Sequence, residues 1–198
     1  MMATITWMAL AAALGVQPAP TVRHAAHWRL HAVVHVWIDL TDVPPNGDRL
    51  VERAMQTWTK ASDGRLTLQR TLVRNDADIQ IFFVRDSNNY GETLPHVDAA
   101  TGLIDRADVA IAADVPVDPM TRQIVAYLTA LHELGHAIGL EHTANFSDIM
   151  YLFRQPGDGP RYFDNYRSLL RSSGDIGSAT ATGLSPDDVK ALRDLYDR

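Results

Sequence analysis

The stretch HELGHAIGLEH, His132 to His142, constrains this chain more tightly than any other part of it. His132 and His136 are one helical turn apart, which places their Cβ atoms about 5–6 Å from each other on one face. His142 does not fit that face. Unbroken helix from His132 would carry it about 15 Å along the axis and roughly a quarter turn away. Gly139 resolves the conflict, because glycine tolerates positive φ and is where a helix most easily stops and turns back. A turn at Gly139 predicts that His142 swings round to the imidazoles of His132 and His136.

Three converging imidazoles with no fourth protein ligand suit a catalytic zinc, with nitrogens at roughly 2.0–2.1 Å and one open position for water. Glu133 projects about 100° round the helix from His132, beside the ion and not onto it. There it can act as general base to a zinc-activated water attacking a carbonyl, and then as general acid to the leaving amine. A lone His-x-x-x-His is commonly structural or solvated; the five fixed positions here are far more specific. One catalytic Zn2+ and metal-assisted amide hydrolysis are expected.

Composition narrows the partners. The 198 residues carry a net charge of -6 with no basic cluster, which argues against nucleic acid. There is no cysteine, so disulfides, thiol catalysis and cysteine-ligated zinc are excluded. The apolar run Ile5–Val16 is too short to span a bilayer and suits the core of a signal peptide over residues 1–20, although no Lys or Arg precedes it. A secreted or extracytoplasmic protein without stable membrane insertion is expected; an N-terminal helix or extension of a cytoplasmic protein is the alternative.

Along the chain, Trp28–Leu40, Arg65–Val73, Ala77–Val84 and Ala107–Asp114 read as strands from their β-branched, alternating composition. Arg85–Glu92 reads as a polar loop. Leu50, Val51, Ala54, Met55 and Trp58 share a helical face, and a long apolar helix runs from Thr121 to about Ile138. After His142 the chain is irregular, with room for a short helix at Arg161–Arg171. Ser185-Pro186-Asp187-Asp188 is a strong start for a C-terminal helix. This order predicts an α/β (α+β) fold, with a twisted, mostly parallel sheet, an active-site helix and a C-terminal helix, split by a substrate cleft.

HELGHAIGLEH matches HExxHxxGxxH, and the chain thereby resembles the metzincin zinc metallopeptidases. Met150 in SDIMY stands where that clan has its methionine turn. The step from His142 to Met150, the segments ADIQIFF and GETLPHV, and the closing LSPDDVKALRDLY are similar to matrixins. The resemblance implies a catalytic domain over residues 21–198, with an upper subdomain of about 28–141 and a lower one of about 142–198. It implies a zinc endopeptidase binding protein or peptide substrates along an edge strand, for which Ala107–Asp114 is the expected candidate. The segment after Met150 would wall the pocket beyond the scissile bond. Asp187 and Asp188 look like the paired acids of the matrixin C-terminal helix, but first-turn capping explains them sufficiently.

The chain also departs from the family pattern. Without cysteine, cysteine-based latency is not expected. His96 resembles a ligand of the matrixins' second, structural zinc, but Ser87, Asn89 and Val109 stand where other ligands would be, so that site is expected to be absent or very weak. The residues leave calcium dependence open. His24, His27, His31 and His35 form a second histidine cluster; on a strand His31 and His35 would be about 13 Å apart, too far to share an ion. Tyr162, Phe163 and Tyr166 suit either a substrate pocket or lower-subdomain packing. Two alternatives to a general endopeptidase stand: a zinc-containing module that binds peptides without turnover, and a narrow-specificity processing peptidase.

Overall fold

The computed structural model describes residues 25–85 and 87–197. Within them run β1 (Ala32–Ile38), α1 (Gly47–Ala61), β2 (Leu66–Arg70), β3 (Ile79–Val84), β4 (Gly91–Val97), β5 (Ile104–Ala112), α2 (Pro119–Ala137), α3 (Asp158–Arg167) and α4 (Pro186–Tyr196). The strands form one sheet of order β2-β1-β3-β5-β4. All neighbours are parallel except β4, which runs antiparallel to β5. The α/β class and the mostly parallel sheet are as the sequence predicts.

Period-two alternation sends Val34, Val36 and Ile38 of β1, Ile79, Ile81 and Phe83 of β3, and Ala107, Val109 and Ile111 of β5 into the core. α1 meets the core with Leu50, Val51, Ala54, Met55 and Trp58, the face its spacing predicts. Trp58 is fully enclosed, and its indole N–H donates to Leu131 O at 2.8 Å, so burial leaves no unpaired donor. α2 is buried without a break from Ile124 to Leu131 because it packs against the sheet strands β4 and β5, α1 and α3 at once. It starts at Pro119, capped by the Asp118 carboxylate, which accepts from the N–H groups of Met120 and Thr121.

Two expectations change. The edges of the sheet are β2 and β4, and the Ala107–Asp114 strand lies inside it, between β3 and β4. Pro95 argues against GETLPHV as an interior strand but is compatible with an edge. The first strand is also shorter than Trp28–Leu40, because His31 adopts φ 62° in a turn and β1 starts after it. Residues 1–20, the run Ile5–Val16 and His24 lie outside the described residues. Among those described, no helix is long and apolar enough to cross a membrane.

Candidate active site

α2 ends in a reversal that carries the chain back beside its own last turn. Leu140 N–H donates to Gly135 O at 2.9 Å and Gly139 N–H to His136 O at 3.0 Å, with Gly139 at φ 103°. This pair of bonds is the glycine-terminated helix stop that satisfies the last carbonyls. Two distant side chains complete it: Trp28 Nε1 donates to Ala137 O at 2.8 Å and Tyr196 OH to Ile138 O at 3.0 Å. A Cβ at position 139 would sit 2.2 Å from Ala26 O, so the close approach requires glycine.

The reversal brings the three histidines together. Their Nε2 atoms stand 3.1 Å apart for His132–His136, 3.1 Å for His136–His142 and 3.3 Å for His132–His142. Three nitrogens held by one tetrahedral zinc would be about 3.3 Å apart, so the triangle fits that ion. The other ring nitrogens of His132 and His136 are committed. His132 Nδ1 lies 2.6 Å from Ile149 O and His136 Nδ1 lies 2.8 Å from Leu140 O. A carbonyl can only accept, so each Nδ1 carries the hydrogen and each Nε2 keeps its lone pair for a metal. Burial lowers the pKa of all three imidazoles, His132 to about 4, so neutral ligand forms are favoured at pH 7. Among the described residues this is the sole cluster with metal-ligating geometry.

Glu133 is buried beside the triangle and faces the edge strand. Thr93 Oγ1 donates to Glu133 Oε2 at 2.7 Å and lies 3.0 Å from Glu133 O. Desolvation raises the carboxyl pKa to about 7, against the Thr93 hydrogen bond, which lowers it. Gly91 allows β4 to pass this close: a Cβ there would lie 2.6 Å from Glu133 Cγ. The sequence carries no local sign of Thr93 or Gly91 at this site, since both reach Glu133 only through the tertiary fold.

Met150 is buried under α2, where a Cβ on Gly135 would meet its Sδ at 2.4 Å. Its segment is tied to the third histidine, because Thr143 N–H donates to Met150 O at 2.8 Å. α4 holds it from the other side. Asp188 Oδ2 accepts from Ile149 N–H at 2.9 Å while also accepting from Ser185 N–H at 2.8 Å in its capping box. Asp188 therefore does more than cap its helix; Asp187 is exposed. A cleft of about 850 Å³ runs between β4 and the chain after Met150, lined by Thr93, His132, Glu133, Tyr151, Phe153 and Tyr162 among others. Tyr162 and Phe163 thus serve the cleft, and Tyr166 packs in the core, its hydroxyl donating to Ala181 O at 2.6 Å.

The other described histidines lie apart from this site. His27 Nδ1 is 2.6 Å from Trp28 O, His31 Nδ1 is 2.8 Å from Gly64 O, and His35 Nδ1 is 3.3 Å from Asp78 Oδ2. His96 Nε2 is 2.9 Å from Asp108 Oδ2, Ser87 bonds to Asn89 O within its own loop, and Val109 points into the core.

Residues 41–197 match the matrixin family model. Matrilysin of Homo sapiens is 32% identical over 158 residues, covering 75% of this chain and 50% of its own length. Stromelysin-1 of Rattus norvegicus is 29% identical over 178 residues, 85% of this chain and 33% of the relative. Metalloendoproteinase 1 of Glycine max is 26% identical over 160 residues, 74% of this chain and 44% of the relative. The chain spans a third to a half of the length of these relatives.

Proposed function

The chain belongs to the matrixin family, and from that premise we propose that it is a zinc-dependent endopeptidase acting on extended protein or peptide substrates. The observation that carries this reading is the triangle of Nε2 atoms with a buried, hydrogen-bonded glutamate on its flank. Closed structural zinc sites use four protein ligands, and a purely binding site has no need of Glu133.

His132, His136 and His142 would hold the ion through Nε2. Zinc there supplies a Lewis acid for a scissile carbonyl and acidifies water. Glu133 accepts the proton of the attacking water and returns it to the leaving amine. Thr93 fixes Oε2, leaving Oε1 to carry the proton. Burial favours the protonated carboxyl, which helps Glu133 take the proton of the attacking water. Met150 and Gly139 act on the ligands' placement. β4 offers its open edge to a peptide by strand addition, and Tyr151, Leu152 and Phe153 wall the cleft opposite.

This reading assigns the catalytic domain to residues 21–198, with subdomains of about 28–141 and 142–198 on either side of the cleft. Residues 1–20 serve as an export signal, and the enzyme acts outside the cytoplasm. The test is digestion of an unbiased peptide library by the purified chain. Cleavage that a chelator abolishes and zinc restores is the expected result; a zinc-loaded, folded chain that cuts nothing overturns the reading.

A further inference from the structure

β4 faces the cleft with an uneven set of backbone groups. Tyr90 O accepts from Ala112 N–H at 2.8 Å, so the backbone of Tyr90 points to β5. Along an antiparallel strand, successive residues direct their N–H and C=O alternately to one side and the other. The register with β5 is regular from Gly91 to His96. Glu92, Leu94 and His96 therefore pair with β5, and Gly91, Thr93 and Pro95 direct their backbones to the open edge. Two observations agree. Ala107, which faces Pro95, gives its N–H to Asp78 O and not to β4, and a proline is tolerated in a strand where its missing donor faces away from the ladder.

The open edge thus presents a donor and an acceptor at Gly91, the same pair at Thr93, and an acceptor alone at Pro95. We infer that Pro95 is a specificity-determining residue that confines backbone recognition of substrate to Gly91 and Thr93. The inference rests on the peptidase reading. One carbonyl of a bound strand, opposite the Pro95 nitrogen, finds no donor. The cleft beyond Pro95, toward Ala25, Ala26 and Gly139, contributes little grip on the main chain. The other end, past Gly91, opens onto an aromatic group in which Tyr90 meets Phe163 at 5.0 Å and Phe153 at 6.3 Å between ring centroids.

The test uses the best-cleaved peptide from the library in two lengths, the shorter ending before the Pro95 subsite. kcat and KM are measured for the parent, Pro95→Ala and Pro95→Val, each of which restores an N–H. The long-to-short ratio of kcat/KM should rise about 2- to 10-fold in both variants, the worth of one added hydrogen bond, and the gain should lie in KM. An unchanged ratio, or a change equal at both lengths, overturns the inference while leaving the peptidase reading intact. So does failure of both variants to fold, since an outward-facing proline should bear no such load. A parent that cuts no peptide defeats the peptidase reading first, and the inference falls with it.

Discussion

Thr93 on the edge strand gives its hydroxyl to Glu133 on α2 at 2.7 Å, joining the strand that would carry substrate to the group that would move the proton. Thr93→Val keeps the shape and removes the bond, leaving Glu133 Oε2 without that donor. kcat/KM should fall on the order of tenfold, the scale of one hydrogen bond to a charged group, with zinc content unchanged. Steady-state kinetics beside metal analysis checks this.

Gly139 controls where His142 arrives. Gly139→Ala forces a side chain into φ 103° and against Ala26 O. Thermal or denaturant unfolding should register a loss of about 1–3 kcal/mol, and zinc should bind more weakly because the third ligand is displaced.

The two neighbouring acids of α4 should separate cleanly. Asp188→Ala removes the carboxylate half of the capping box, which accepts from Ser185 N–H, and orphans the buried N–H of Ile149, at a cost of about 2–4 kcal/mol. Asp187→Ala, at an exposed position, should stay within about 0.5 kcal/mol. Denaturation of both variants measures the difference.

These contacts mark the boundary of what the sequence discloses. The histidine spacing and Gly139 are legible because helix geometry and one forced turn relate them locally, and Met150 is legible only through the resemblance to metzincins. The core faces of α1, β1 and β3 are legible locally too, through their periods. β4 is not, since Gly91, Glu92 and Pro95 all weaken a strand pattern, and nothing local distinguishes an edge from an interior strand. The more continuous apolar pattern of Ala107–Asp114 reflects burial between two neighbours, the opposite of an edge. Thr93 and Asp188 reach their partners across 40 and 39 residues of chain, separations that no spacing rule spans.

Acid should loosen the cleft wall through Asp158. Its carboxylate accepts from the N–H groups of Gln155 and Arg154 and from the Tyr151 hydroxyl, with the two N–H bonds chiefly holding its pKa below the ordinary value. A depressed folded pKa means the stabilisation is complete above the unfolded pKa, near 4, and is lost as pH falls through the folded value. Asp158→Asn should therefore be less stable than the parent at pH 7, and the gap should close as the pH falls through the depressed folded pKa. Melting curves from pH 7 to pH 2 test this; a gap that persists in acid contradicts it.

If Glu133 performs the proton transfers while three histidines hold the metal, zinc-loaded Glu133→Ala should separate the two roles. The measurement is kcat on a cleaved library peptide, with zinc determined in the same samples. Full zinc occupancy and a kcat lower by about 10²–10⁴-fold are expected. A variant that keeps its zinc and still cleaves at the parent's rate would contradict this role for Glu133.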